Sequence, residues 1–317
     1  MSIWHLYSSF HSSQTIGRIL KKRYKELQVE YPEKKSFENC YTFIYFLKHA
    51  ENYYKSSEDS SIAIKPVLIF YGISQLLKAL LLTVDVDYPS NSAVLSHGVS
   101  TRKRKKQRYN FLEDEIKIQK NGLYGHVARY LFQLDHAAGK KFSMFYLLKR
   151  IPELSALFQF HLNIQTTIQT EANDECFIVP KQAADHYCIT TDRLSEILSN
   201  KCPLRFLGGN DKSLYFSCQN KLDIRWKSTL LFDFYERQYY LPSSKDDLIV
   251  FPEILVHYLV LYNLSMISRY ETEWWYDLIF GHESDDFVFI KRFLDVTTEK
   301  IPWLAFQYFM QLFGKNE

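Results

Sequence analysis

The chain has 317 residues, 46% of them apolar and 16% aromatic, with only 10 Gly and 9 Pro. That composition supports a packed core, in one large domain or two ordinary ones, and excludes disordered, collagen-like and low-complexity classes. The formal net charge is +3, too small for a protein that coats nucleic acid all over, so any capacity for anions must be local.

In chain order, the first third reads as helices. Ser12 or Ser13 caps a helix running to about Glu30, and Pro32 follows as a stop. Residues 36–54 form the next helix, with Phe37, Tyr41, Ile44, Tyr45, Lys48 and Asn52 near one face. The polar stretch "KSSEDSS" at 55–61 is a loop. Pro66 suits the first turn of a third helix that ends near Asp85. This apolar segment is the best membrane candidate, but Ser74, Gln75 and Lys78 interrupt it, so a buried core helix is expected and no membrane span. Tyr71, Ser74, Gln75 and Lys78 fall at i, i+3, i+4 and i+7 and form a polar stripe along it.

A long connection follows, and inside it lies "SHGVSTRKRKKQRYN" at 96–110. Arg102, Lys103, Arg104, Lys105, Lys106 and Arg108 carry more positive charge than the whole chain's net, so the remainder is net acidic. Clustered Lys and Arg attract phosphate by Coulomb attraction and forked hydrogen bonds. Tyr109 and Phe111 stand next to the run and offer rings for stacking. The competing reading is a solvated loop, or one paired with "EDE" at 113–115. His97 and Gly98 precede the run: the glycine permits close backbone approach to a ligand, and the histidine is a donor to phosphate or an acid or base. A turn glycine beside a packed histidine is the plainer alternative.

Glu115–Gln119 alternates as a strand before the turn signal "KNG", and helices resume at about 124–134 and 143–160. From about 173 to 242 the pieces are short and β-like ("CFIVP", "LRFL", "SLYFSC", "DIRW", "LLFDFYERQYYL"), with one helix in "TTDRLSEILSN" and hairpin turns at 208–211 and 219–223. Asp185, His186 and Cys188 fall in a β-type segment there, and nothing else supports a thiol site. Residues 251–281 return to helix, and Pro302 opens the final one. Arg269 emerges where that helix ends or bends, in "SRYETEWW", placed to clamp an anion or to pair with a neighbouring Glu. The predicted fold is α+β: a predominantly α-helical domain (1–172) with basic loop 97–108, a small β-rich insert or subdomain (173–242), and C-terminal helices (243–317) completing the helical domain.

The five cysteines show neither C-x-x-C nor zinc-ligand spacing, which predicts a reducing cytoplasm, and "MSIWHLYSSF" predicts no signal peptide. No phosphate-loop, dinucleotide, nucleophile-elbow or HExxH motif occurs. No catalytic residue, cofactor or metal site is therefore assigned, and the reading leans away from an enzyme. Lys78, His97, Gly98, the six basic-run residues and Arg269 are the candidate ligand contacts.

"KPVLIFYGISQLLKALLL" (65–82), "HGVSTRKRKKQRYNFLEDEIKIQKNGL" (97–123), "RIPEL" (150–154) and "SRYETEW" (268–274) together resemble the YaaC-like family of Bacillus-type Firmicutes. The resemblance covers most of the chain and is weakest in the β-rich middle. It implies a cytoplasmic bacterial protein. Family members are often encoded beside the IMP dehydrogenase gene, which implies a link to purine nucleotide metabolism. It carries over no catalytic residues. The expected role is a non-catalytic binding or regulatory protein that takes an anionic ligand, nucleotide or RNA, on the basic loop. Two alternatives stay open. Arg129 and His136, six residues between them, resemble the Arg/His pair of the HEPN ribonucleases. The β-rich insert could instead dock a protein partner in nucleotide metabolism.

Overall fold

The computed structural model describes residues 3–101, 109–136, 138–172, 176–218, 226–281 and 284–313. The basic run at 102–108 and most of the turn and strand expected at 219–225 therefore lie outside the described residues. The chain is a predominantly helical α+β protein. It divides into two compact units, Met1–Met144 with His257–Glu317, and Phe145–Val256.

The first unit opens with a 3-10 helix, Ile3–His11, followed by α1 (Ser13–Glu26), α2 (Pro32–Glu58) and α3 (Lys65–Leu81). Ser12 caps α1 by accepting from the Thr15 amide at 3.3 Å. Pro32 begins α2 instead of merely ending α1, because the first helical turn needs no amide from it. The apolar character of α3 is explained by burial: Ile69, Phe70, Ile73, Leu76, Leu77 and Leu80 are fully enclosed. Gly72 lets α2 approach closely, since a Cβ there would lie 2.6 Å from the Tyr54 ring. The expected aromatic face of α2 turns out to point mostly outward. Cys40, Phe43, Leu47 and Tyr54 make its buried side with Ile44, while Phe37 (72% exposed) and Tyr45 (61%) face solvent.

Beyond α3, β1 (Val99–Thr101), β2 (Glu115–Ile118) and β3 (Lys141–Ser143) form an antiparallel sheet in that order. Ile116 and Ile118 are buried and Lys117 is exposed, the alternation the sequence predicts. α4 spans Leu123–Phe132 between β2 and β3. The helix expected over 143–160 is broken into α5 (Met144–Leu148) and α6 (Ser155–Leu162), with Pro152 opening a 3-10 turn between them.

In the second unit, β4 (Thr167–Gln169), β5 (Glu171–Ala172) and β6 (Cys176–Pro180) precede α7 (Gln182–His186) and α8 (Thr191–Lys201). Thr190 caps α8 by accepting from the Arg193 amide at 3.2 Å. Asp185 and His186 are thus helical and not in a β-type segment. The strands β7 (Leu204–Gly209), β8 (Ser213–Cys218), β9 (Leu231–Asp233) and β10 (Gln238–Pro242) complete two antiparallel sheets, β5-β6-β8-β7 and β4-β10-β9.

This unit is wider than the expected 173–242 insert, for physical reasons. β4 pairs with β10. Buried Arg150 donates to the carbonyls of Asp247 at 3.0 Å and Ile249 at 3.1 Å. Glu153 accepts from the Phe234 amide at 2.7 Å. The "RIPEL" stretch is thus a fastening of this unit.

The chain ends with α9 (Glu253–Tyr270), α10 (Thr272–Gly281) and α11 (Asp286–Phe313). Pro302 lies inside α11 and does not start a new helix. Burial of Ile301, Leu304, Ala305 and Phe309 outweighs the lost backbone hydrogen bond, which costs about 3 kcal/mol. The Tyr7 hydroxyl also donates to the Pro302 carbonyl at 2.7 Å. Among the described residues, no helix is long and apolar enough to cross a membrane.

Candidate functional site

α3 and the segment leading into β1 bring three of the expected residues together in the first unit. His97 sits at the end of the long connection. Its carbonyl accepts from the Tyr258 hydroxyl at 3.0 Å and the Tyr124 amide at 3.2 Å, which fixes its backbone. Its ring lies among Phe70, Tyr71 and Tyr262, with centroids 4.9, 6.4 and 5.6 Å away. Burial holds the His97 imidazole below its ordinary value of 6.5, and the positive charges of Arg269 and Lys78 push it further down. The imidazole is therefore neutral near pH 7 and flanked by two cations. Neither ring nitrogen has a hydrogen-bond partner among the described residues.

Among the described residues neither cation has a carboxylate partner. Lys78 comes from the polar stripe of α3, half-buried, its ammonium 5.7 Å from the Phe46 ring centroid. Burial lowers its affinity for a proton, and it makes no ion pair among the described residues. Arg269, in the last turn of α9, donates to the Ser265 carbonyl at 2.9 Å and lies 5.3 Å over the Tyr270 ring. It pairs with neither Glu271 nor Glu273, so the locking ion pair considered from sequence is not formed. Trp275 is buried and donates to the Ala63 carbonyl at 2.9 Å.

Gly98 takes a different place from the one expected. It is buried, with φ +77°, and its close approach is to Gly122. A Cβ on Gly122 would stand 2.3 Å from the Gly98 backbone. Only a pair of glycines fits, and the contact sets the path of His97 instead of opening backbone to a ligand.

The six basic-run residues are outside the described residues, but the ends of the run are placed. Thr101 pairs with Ile116 in the sheet. Tyr109 packs edge-on against Trp274 at 4.3 Å and donates to Asp114. Trp274 follows Arg269 across the α9–α10 junction.

Sequence reasoning missed the other wall of the site. An open concavity of about 460 Å³ lies between α2 and α3. Tyr45, Phe46, His49 and Asn52 line it from α2, and Gln75 and Lys78 from α3. Ring contacts continue from it to the histidine, His49 to Tyr53 at 5.1 Å and Tyr53 to Tyr71 at 5.6 Å. Its signal was already in the periodicity, since Tyr45, Lys48 and Asn52 fall on one face of α2. What periodicity lacked was the knowledge that this face meets the polar stripe of α3.

The residues of the ribonuclease alternative make other contacts. Arg129 is exposed, 3.6 Å from Asp135, and His136 Nδ1 is hydrogen-bonded with the Tyr124 hydroxyl at 2.6 Å. Among the described residues no group of three or more His, Cys, Asp or Glu has the arrangement of a metal site.

No curated protein and no solved structure matches the chain. The family described as YaaC-like Protein matches residues 8–309 of the 317, nearly the whole length, and the chain belongs to that family.

Proposed function

We propose that the protein is a non-catalytic binding or regulatory protein that recognises a phosphate-bearing ligand, a nucleotide or RNA. One observation carries the reading: Lys78 and Arg269, neither with a carboxylate partner among the described residues, act on a neutral histidine whose ring nitrogens have no hydrogen-bond partner there. Holding cations together without counter-charge is unfavourable, and an anion relieves it. A phosphate accepts from the lysine, from the guanidinium fork and from the protonated edge of the imidazole. The basic run begins five residues after His97 and ends beside Tyr109, so the same ligand has six further cations to draw on. A link to purine nucleotide metabolism is consistent with this chemistry.

The test is a thermal-shift screen with purine nucleotides and short RNA at low and moderate salt. A ligand at 100 times its dissociation constant adds about 2.7 kcal/mol of stability. The reading expects a salt-sensitive hit that weakens when Lys78 and Arg269 are replaced. A flat screen, or a hit indifferent to both replacements, contradicts it.

A further inference from the structure

Next to the three polar groups lies a surface that phosphate alone does not explain. The concavity between α2 and α3 is walled by flat rings, with Tyr45 61% exposed at its edge. An exposed large aromatic beside a cation is costly to leave bare and well suited to a planar ligand. Two carboxamides, Asn52 and Gln75, also line it, and neither has a hydrogen-bond partner among the described residues. A carboxamide presents a donor beside an acceptor, which complements the paired groups on a nucleobase edge. Lys78 lines the same concavity and also acts on His97, so a planar group seated there can bring its phosphate to Lys78. Lys48, exposed, supplies a further charge at the rim. A volume of about 460 Å³ falls in the range of small-molecule sites.

We infer that this concavity is a nucleobase subsite: a nucleoside phosphate lays its base against Tyr45 and His49, offers its edge to Asn52 and Gln75, and delivers its phosphate to Lys78. The inference rests on the phosphate-binding reading above and adds the base. The base comes from a free nucleotide or from one residue of a single-stranded RNA, and the chemistry is the same.

Calorimetric titration of the full chain tests it, with the four nucleoside monophosphates, ribose 5-phosphate, inorganic phosphate and a short single-stranded RNA. At least one monophosphate should bind roughly tenfold or more tighter than ribose 5-phosphate, the gain expected of one stacked and hydrogen-bonded base. Asn52→Ala and Gln75→Ala should abolish that gain and leave ribose 5-phosphate affinity and the melting temperature unchanged. RNA binding tighter than every monophosphate, with the same loss in both variants, supports the subsite and names RNA as the source. Equal affinity for nucleotides and ribose 5-phosphate overturns the base subsite while the phosphate reading stands. Absence of binding by every phosphate compound overturns both.

Discussion

Lys78 and His97 each carry a cost that no partner among the described residues offsets. Burial disfavours the charged lysine, so at neutral pH its ammonium lowers stability. Lys78→Met is therefore expected to raise the melting temperature of the ligand-free protein while weakening phosphate binding several-fold. Paired melting and titration experiments check the two signs together, and a fall in both would mark Lys78 as structural. His97 is held below 6.5 in the folded state, whereas in the unfolded chain it titrates near that value. Between 6.5 and the lower folded value the unfolded chain binds a proton that the folded chain does not, so stability is lost as pH falls through this window. Denaturant melts from pH 7.5 downward should show that loss, and His97→Asn should flatten it. These residues were partly legible beforehand. The stripe spacing singled out Lys78, and the adjacency of His97 to the basic run singled out the histidine. Their proximity to Arg269, some 170 residues further on, has no sequence signal.

At the scale of elements, each compact unit has one device that fixes its own backbone. Gly98 and Gly122 touch back to back, and Gly122 has φ +125°. Gly122→Ala should cost about 3 kcal/mol or more, from left-handed strain plus a backbone clash. Gly17→Ala, in the middle of α1 with open space around it, should stabilise by about 1 kcal/mol. Equilibrium unfolding of both variants checks the contrast. Arg150 in the other unit is the second device. Arg150→Met leaves the Asp247 and Ile249 carbonyls without their donor and should destabilise by about 3 kcal/mol, and Arg150→Lys, which lacks the fork, should recover little of it. Helices and strands were largely readable from periodicity and caps. The error lies where tertiary packing decides, at Pro302 inside a helix whose neighbours are buried, and on α2 the spacing left the direction of its face open. Aromatics at helical spacing show that a face exists and not which way it points.

Over the whole molecule, a net charge of +3 conceals a separation of charge. Six cations are concentrated in one short run, and two more, without an ion pair among the described residues, act on His97. Ligand affinity should therefore fall with salt, and neutralising Arg102, Arg104 and Lys106 together should flatten that dependence without lowering the melting temperature. The two compact units were less legible than the fold class. The β-rich stretch announced itself by its turns, but membership of residues 145–172 and 243–256 rests on pairing across about seventy to a hundred residues, β4 with β10 and Arg150 with Asp247 and Ile249. The central claim is that an anion completes the cluster of Lys78, His97 and Arg269. The most direct measurement is an NMR pH titration of the His97 imidazole, with and without saturating pyrophosphate. The account predicts a midpoint below 6.5 in the free protein that moves upward when pyrophosphate binds, and an upward shift in Lys78→Met without any ligand. A His97 midpoint that pyrophosphate leaves unmoved would contradict it.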